Sequence, residues 1–343
     1  MNIYPFVSII IPSRNEEKFI CKCLDSIIAQ HYQRDKLEVL VIDGMSEDGT
    51  KEIIQGYAEC YPLIRLLDNP EKITPVAFNM GIKNSKGKVI MIMSAHATYE
   101  KEYISKCVEY LQEYKADNLG GIMTTRPRNN TLMGKAVALA LSHRFGVGNS
   151  VFRTGTKEPM WVDTVFGGCY RKEVFEKIGL FNEDLVSTSD MEFNLRLKKE
   201  GGKILLVPEI ISYYYARSDF RSFCKNNFRN GLWAILPFKY SKIMPVSWRH
   251  LVPLAFVSSL IGSMAISAFS SIFFWLFWLI LGSYFLSNAY FSIKISKKEK
   301  DLKYIFIMPL IFGSLHIGYG LGSLLEILKV IVSKQFWKNR FKK

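Results

Sequence analysis

Residues 89–99 read VIMIMSAHATY, and this stretch decides the fold. Five apolar residues, Val89 to Met93, stop at a small polar residue, Ser94, and a histidine, His96, follows. A buried strand reads this way when its carboxyl end opens onto a site. Upstream, FVSIIIP (residues 6–12) is another apolar run, halted by Pro12. The segment RNEEKFICKCLDSIIAQ (residues 14–30) then sets Phe19, Ile20, Leu24, Ile27 and Ile28 at helical spacing, with acids in its first turn. LEVLVID (37–43) is a second strand, and a turn over Ser46 to Gly49 leads into the helix TKEIIQGYAECY (50–61). IRLLDN (64–69) is a third, short strand, and TPVAFNMGIKNSKG (74–87) is a helix opened by Thr74 and Pro75 and closed by Gly87. The run at Val89 is the fourth strand, with the helix EYISKCVEYLQEY (102–114) after it.

Short apolar strands alternating with amphipathic helices predict a parallel sheet covered on both faces. Ligands in such folds bind beyond the carboxyl ends of the strands. Those ends carry Pro12 to Glu17, Asp43, Asp68 and Ser94 to His96, and they are expected to converge on one crevice. Farther on, GIMTTRP (121–127) reads as a strand, and DTVFGGCYRKEVFEKIG (163–179) as strand, turn and helix. STSDMEFNLRLKKEGGKILLVPEI (187–210) reads as a helix feeding a strand.

The 343 residues, 49% hydrophobic and 14% aromatic, exceed what this core needs. The surplus lies late in the chain. No Asp, Glu, Lys or Arg occurs from Leu251 to Ile293, long enough for two membrane spans of about 20 residues each, with the break near Ser267 to Ser271. A second uncharged stretch, Tyr304 to Leu325, supplies a third span or a re-entrant segment broken by Pro309, Gly313, Gly318, Gly320 and Gly322. The opening MNIYPFVSIIIPSRNEE lacks a basic region followed by a cleavable apolar segment, so the reading is a cytosolic domain first and a membrane anchor last.

The net charge of +14 is unevenly placed: beyond Ile293, eleven basic residues face three acids, a net +8. Lys294, Lys297, Lys298, Lys300 and Lys303 put the loop after the second span on the cytoplasmic side, as do Lys239, Lys242 and Arg249 before the first. The tail KQFWKNRFKK (334–343) asks for the same side. Basic charge beside apolar spans points to anionic lipid as the partner and away from nucleic acid.

Six cysteines, Cys21, Cys23, Cys60, Cys107, Cys169 and Cys224, are scattered; Cys21 and Cys23 face different sides of a helix, so they form neither a redox pair nor a zinc clip. Free, mostly packed thiols are expected. The first strand is followed by PSRNEE, without a glycine, which argues against dinucleotide and P-loop chemistry. What remains is a crevice with an isolated strand-end carboxylate, Asp43, suited to accept from a base N–H or a ribose hydroxyl, or else to cap the next helix.

Four blocks carry a resemblance: VSIIIPSRNEEKFICKCLDSIIAQ (7–30), EVLVIDGMSEDGT (38–50), AFNMGIKNSKGKVIMIMSAHA (77–97) and SDMEFNLRLKKEGGKI (189–204). In this order they resemble the successive blocks of family 2 glycosyltransferases with a GT-A fold. ALSHRFGVGNSVFR (140–153), VDTVFGGCYRKEVFEKIGLFNE (162–183) and YYYARSDFRSFCKNNFRNGLW (213–233) narrow it to the branch that resembles succinoglycan-biosynthesis ExoA-like proteins. The resemblance runs from about Phe6 to Trp233. It implies an α/β, Rossmann-like mixed sheet that binds a nucleotide sugar, flanked by helices and followed by transmembrane helices.

It also implies roles. Pro12, Arg14, Asn15 and Glu16 would line the nucleoside pocket, with Asp43 on the uracil or other base. Family members usually carry a second acid after Asp43, where Gly44 stands here. Asp48 would be a helix cap. Asp190 matches the catalytic base, since an acceptor hydroxyl must lose its proton as it attacks. Glu192 would orient its neighbours or face the diphosphate or acceptor. The Asp-x-Asp motif that holds a divalent metal in this family is replaced by Ser94, Ala95 and His96; the branch commonly shows Asp-Ala-His-Ala there, so Ser94 is the further departure. An imidazole ligates Mn²⁺, serine is a poor ligand, and Mg²⁺ prefers oxygen. Three outcomes follow: His96 and the diphosphate hold the metal, cations such as Arg229 replace it, or turnover is impaired. His143, Arg144, Arg153, Arg229 and Trp233 are further candidates for the diphosphate or acceptor. The Gln-x-x-Arg-Trp pattern of processive relatives is absent around Arg229 and Trp233.

The expected activity is transfer of one sugar, with inversion, from a nucleotide sugar (a UDP-sugar foremost) to an acceptor on a polyprenyl diphosphate lipid. It would build an exopolysaccharide or other surface glycan at the inner face of the cytoplasmic membrane. The alternative is a degenerate nucleotide-sugar-binding scaffold in a polysaccharide-assembly complex, which Ser94 favours and Asp190 opposes. The expected layout is a catalytic domain over residues 1–238, a juxtamembrane linker over 239–250, a membrane region over 251–331 and a basic tail over 332–343. Within it, spans fall near 251–269 and 272–293, with the third or re-entrant segment near 304–325.

Overall fold

The computed structural model describes residues 4–239 and 247–333. The chain runs β1 (Val7–Ser13), α1 (Ile20–Ile28), β2 (Leu37–Asp43), α2 (Thr50–Cys60), β3 (Ile64–Asp68), α3 (Thr74–Asn84) and β4 (Val89–Ile92). Next come β5 (Ala97–Tyr99), α4 (Tyr103–Glu113), β6 (Asn118–Pro127), α5 (Leu132–Leu141), α6 (Arg144–Val147) and α7 (Val151–Thr154). β7 (Met160–Trp161), β8 (Gly168–Arg171), α8 (Lys172–Ile178), α9 (Ser189–Lys199), β9 (Ile204–Ala216) and α10 (Phe220–Ile235) follow. The last elements are α11 (Leu251–Ile266), α12 (Ser271–Glu299) and α13 (Lys303–Val332). Two compact units form, one from residues 1–124 with 151–215, the other from 125–150 with 216–343.

In the first unit the sheet order is β3-β2-β1-β4-β8-β6-β9-β5, with β7 on β9. β3, β2, β1 and β4 are parallel, as the strand-helix alternation predicts. β8 pairs antiparallel with β4 and with β6, so the sheet as a whole is mixed. The strands of the parallel part are buried on both faces: Val7, Ile9, Ile10, Ile11, Val39, Leu40, Val41 and Ile42 are all inaccessible to solvent. Each such side chain contributes about 1.5–3 kcal/mol on burial. Ile9, Ile11, Val39 and Val41 pack with α1 and α4 residues such as Leu24 and Ile104, while Ile10, Leu40 and Ile42 pack with Ala77, Phe78 and Ile82 of α3.

Strand order reverses between β1 and β4, which is where a ligand crevice opens in such sheets. The register shows how. β1 pairs with β4 only through Ile10 and Ile92, but with β2 it continues to Ser13 and Asp43. Pro12, which has no N–H to give a ladder, lies past the last β4 partner, so the strands part there at no cost in hydrogen bonds.

Two boundaries differ from the sequence reading. α1 begins at Ile20, not in the segment from Arg14, and its first turn holds no acid. Asn15 has φ 55°, a left-handed backbone angle that Asn tolerates and a helix does not, so residues 14–19 form a loop at the crevice. α3 ends at Asn84, before the expected stop at Gly87. Of the six thiols, Cys23, Cys107 and Cys169 are buried, Cys21 and Cys224 partly so, and Cys60 exposed, so half of them are fully packed.

The second unit holds three helices long and apolar enough to cross a membrane: Trp248–Ile266, Ser271–Glu299 and Lys303–Val332. The re-entrant reading of 304–325 is therefore corrected. α13 is one continuous helix through Pro309. Two of the glycines expected to break it serve close packing instead: a Cβ on Gly322 would come within 2.1 Å of the Phe228 carbonyl oxygen on α10, and one on Gly320 within 2.3 Å of the Pro253 carbonyl oxygen on α11. Small residues let helix backbones approach in this way. Lys242 and the basic tail after Ser333 lie outside the described residues.

Candidate active site

Beyond the strand ends of the first unit lies a crevice of about 480 Å³. It is lined from β1 and its loop by Pro12, Ser13, Arg14 and Glu16, from the β2 end by Gly44, and after β3 by Asn69 and Lys72. Ser94 and His96 line it after β4, and Ser189 and Asp190 at the start of α9, with Phe166, Gly167 and Tyr214 closing the remaining wall. The sequence therefore named Pro12, Arg14, Glu16, Ser94, His96 and Asp190 among the lining. It missed Asn69, Lys72, Ser189 and Tyr214. Asn69 sits just past the end of β3, so the rule that ligands bind at strand ends would have found it.

Asp43 is placed otherwise than expected. It is fully buried, and its carboxylate accepts the Ser46 N–H at 2.9 Å and the Ser46 hydroxyl at 2.5 Å. It shapes the turn after β2 and does not line the crevice. Asn15 braces the same turn: its N–H donates to Ser46 Oγ at 3.0 Å and its Oδ1 accepts the Glu47 N–H at 2.9 Å. Asp48 accepts from the Thr50 N–H and hydroxyl at the start of α2, the structural role assigned to it. Asp68 turns away to Lys51 Nζ at 2.8 Å, which corrects its placement among the converging groups. At Gly44 an added Cβ would stand 3.2 Å from Arg14 Cβ and 3.3 Å from its Cδ. The missing side chain leaves room for the Arg14 stem.

Ala95 is buried behind the crevice, so only its flanking residues face in. His96 Nδ1 lies 2.8 Å from Glu16 Oε1. A carboxylate only accepts, so Nδ1 carries the hydrogen and Nε2 keeps its lone pair in the neutral ring. A carboxylate behind a histidine in this way fixes its tautomer and ring orientation. The ring also packs edge-on against Tyr214 at 5.0 Å, which holds its plane. Ser94 is set by its N–H donating to Tyr99 Oη at 2.7 Å and its carbonyl accepting the Cys23 thiol at 3.4 Å.

Among the described residues no three His, Cys, Asp or Glu side chains form a metal-holding group. The crevice supplies one oriented nitrogen, on His96, and the Glu16 carboxylate behind it. That donor set fits a cation shared with a bound diphosphate, not one held by protein alone.

Asp190 opens α9, its Oδ1 accepting the Met191 N–H at 2.9 Å. Enclosure by protein pushes its carboxyl above the ordinary aspartate range, and the hydrogen bonds from the α9 backbone only partly offset this. Glu192 lies one turn away from that role. Its two oxygens grip Arg196, Nε at 2.6 Å and a terminal nitrogen at 3.1 Å, and Arg196 in turn donates to the carbonyls of Ile178 and Leu180. Glu192 holds the α8–α9 connection and does not line the crevice.

Arg153 stays in the first unit, on α7, its guanidinium 5.8 Å from the Tyr214 ring centre. His143, Arg229 and Trp233 belong to the second unit, His143 before α6 and the other two on α10, and none lines the crevice.

Comparison with known proteins matches this arrangement. The chain is 35% identical over 234 residues, 66% of its length and 72% of the relative's, to a dolichyl N-acetyl-alpha-D-glucosaminyl phosphate 3-beta-D-2,3-diacetamido-2,3-dideoxy-beta-D-glucuronosyltransferase of Methanococcus voltae. It is 27% identical over 258 residues, 75% of its length and 77% of the relative's, to the succinoglycan biosynthesis protein ExoA of Rhizobium meliloti. In fold it is similar to the mannosyltransferase PcManGT of Pyrobaculum calidifontis, solved with GDP-Man and Mn²⁺, at a TM-score of 0.65 and 19% identity over 96% of this chain and 88% of that one. The profile of Glycosyl transferase family 2 covers residues 8–179, the strands and loops that build most of the crevice. A glycosyltransferase with the GT-A fold, the chain belongs to glycosyl transferase family 2.

Proposed function

We propose that the protein is a membrane-anchored, inverting glycosyltransferase that moves one sugar from a nucleotide sugar to a lipid-linked acceptor. The observation that carries this is the state of the two carboxylates in the crevice wall. Glu16 is committed to His96, whereas among the described residues Asp190 has no side-chain hydrogen-bond or ion-pair partner, and burial raises its pKa. One uncommitted carboxylate is what a single displacement needs.

In that step the acceptor hydroxyl gives its proton to Asp190 as its oxygen forms the new bond to the anomeric carbon. The bond from that carbon to the diphosphate oxygen breaks on the opposite face, and its electron pair leaves with the nucleoside diphosphate. A single in-line displacement inverts the centre. Burial suits the base: a carboxyl with a raised pKa takes the proton more readily than an exposed aspartate.

Strand order supports an orientation for the donor. The crevice residues Ser94 and His96 follow β4, Arg14 follows β1, Gly44 follows β2 and Asn69 follows β3, in adjacent columns about 4.8 Å apart. Three such steps, about 14 Å, suit a nucleoside diphosphate with its base toward Asn69 and its diphosphate toward His96. His96 Nε2 would hold a divalent cation, Mn²⁺ before Mg²⁺, which when bound neutralises charge on the departing diphosphate. A UDP-sugar is the foremost donor. The acceptor reading draws on the Methanococcus voltae relative, whose name specifies a dolichyl phosphate sugar, and on the three apolar helices. A carrier held in the bilayer raises the effective concentration of acceptor for a tethered enzyme. The setting is the cytoplasmic membrane, with the crevice on the cytosolic side.

Ser94 favours a second reading, a nucleotide-sugar-binding subunit that has lost turnover. One experiment separates the two. The purified protein in detergent is given a panel of nucleotide sugars and lipid extract, with and without Mn²⁺, alongside Asp190→Asn and Ser94→Asp. Turnover by the wild type that Asp190→Asn abolishes supports the enzyme. Donor binding without turnover, with activity appearing only in Ser94→Asp, supports the degenerate subunit.

A further inference from the structure

The second unit carries a cluster of cations that the donor crevice does not use. α12 has no charged residue from Ser271 to Ile293, and Lys294 is its first. Lys298 lies one turn further, on the same face as Lys294 and as Phe291. The His143 ring packs on that face, 5.2 Å from Phe291, with Phe312 of α13 at 5.9 Å on its other side. His143 Nδ1 accepts the Phe145 N–H at 3.1 Å, so in the neutral ring Nε2 carries the hydrogen and is free to donate.

The position of His143 is locked. Phe145 stacks on Phe291 at 4.7 Å, meets Phe312 at 4.9 Å, and gives its carbonyl to His316 Nε2 at 2.8 Å. Lys294 and Lys298 are exposed and have no hydrogen bond or ion pair among the described residues. Asp301, the nearby loop acid, accepts from the Lys303 N–H at 2.9 Å. Burial first, and then the charges of Lys294 and Lys298, hold the His143 imidazole below its ordinary value, which keeps it a neutral donor beside two ammonium groups.

Two like charges one helical turn apart repel, and among the described residues neither lysine has an ion-pair partner. Lysines at a helix end next to a bilayer are commonplace. A fixed N–H donor wedged against the same helix face is not part of that pattern. Two charges and a neutral donor match a sugar-bearing diphosphate, which carries about two negative charges, better than a singly charged phosphodiester headgroup.

We propose that His143, Lys294 and Lys298 form the binding site for the diphosphate of the lipid carrier that bears the acceptor sugar. The site lies where the apolar run of α12 ends, the depth at which a bilayer presents its phosphates. It explains why the α5–α6 segment is pinned to α12 and α13. The inference rests on the lipid-linked acceptor reading above.

The test uses the full chain in phosphatidylcholine nanodiscs, with polyprenyl diphosphate at increasing mole fraction and occupancy read by native mass spectrometry. Lys294→Gln/Lys298→Gln is expected to weaken binding by about tenfold or more, and Lys294→Arg/Lys298→Arg to retain it within about threefold. Phosphatidylglycerol at the same mole fraction is expected not to compete. Unchanged binding in the Gln variant, or equal displacement by phosphatidylglycerol, overturns the proposal and leaves a general anionic-lipid patch. Titration of the same samples with UDP and GDP reads the donor reading separately: nucleotide binding that persists in every variant leaves it standing whichever way the lipid result falls.

Discussion

Replacing Asp190 by Asn separates a catalytic base from a helix-opening acid, because the two roles predict opposite changes in stability. Asn keeps an Oδ1 for the Met191 N–H, so the bond at 2.9 Å is preserved and only the charge and basicity go. If Asp190 takes the acceptor proton, transfer falls by about 10²–10⁴, or about 2.7–5.4 kcal/mol of transition-state stabilisation. Burial raises the carboxyl above its ordinary value of 3.8. The folded state then binds the proton more tightly than the unfolded one, so stability is lost as pH rises. The penalty is absent below 3.8, grows as pH climbs through that value, and is complete above the raised pKa. Each unit of elevation is worth about 1.4 kcal/mol. At pH 7 the wild type bears that penalty and the Asn variant does not. Asp190→Asn is therefore expected to melt at the same temperature or higher at pH 7, with the difference closing toward pH 3. The acid limb of kcat/KM in the wild type is expected above the ordinary aspartate range. The assay pairs initial-rate transfer with thermal melting of the same detergent samples. Activity within a few-fold of wild type, or a variant that melts lower at pH 7, refutes the assignment and makes Asp190 a stabilising acid at the start of α9.

Three further substitutions probe the surrounding framework. Ser94→Asp adds an oxygen donor beside His96, and the Mn²⁺ concentration for half-maximal transfer is expected to fall by about tenfold or more; no change in metal response would show that Ser94 does not face the cation. Glu192→Ala strips the Arg196 guanidinium of its forked partner and leaves it only the carbonyls of Ile178 and Leu180. A loss of about 1–3 kcal/mol by denaturant titration is expected, with KM for the donor unchanged, whereas a raised KM at full stability would return Glu192 to the binding site. Gly81→Ala would set a Cβ 2.4 Å from Ile10 Cγ2, and overpacking of about 1–3 kcal/mol should outweigh the roughly 1 kcal/mol helix-propensity gain. A melting temperature that rises would count against the tight fit of α3 on β1.

The parallel strands were legible because they are apolar on both faces: VSIII, LEVLVI and VIMI leave no solvent-facing register, and each ends at a residue that stops the run. The loop from Arg14 to Phe19 was not, since its helical spacing of apolar residues continues unbroken into α1. What ends the helix is the left-handed backbone at Asn15, and that is set by two bonds to the turn after β2, more than thirty positions away. α13 failed for the converse reason. Pro309 and four glycines argue for breakage in a single chain, yet Gly318 and Gly322 face α10 and Gly320 faces α11, contact surfaces that only the neighbouring helices make.

The site divides along the same line between local and distant partners. Asp190 was legible from its block, and the Glu192–Arg196 pair had a signal at i,i+4 spacing that outweighs a second catalytic acid. Asp43 was misread because an acid at a strand end is equally suited to a ligand and to a turn, and Ser46, three residues on, takes both of its oxygens. Least legible was Glu16, which the sequence gives as one more residue of the nucleoside wall. It stands eighty positions from His96, and only the parallel pairing of β1 with β4 brings their loops together. That meeting changes the meaning of Ser94-Ala95-His96. A motif short of carboxylates in sequence has one in space, placed behind the imidazole. That carboxylate comes from the loop after β1, the end of a different strand.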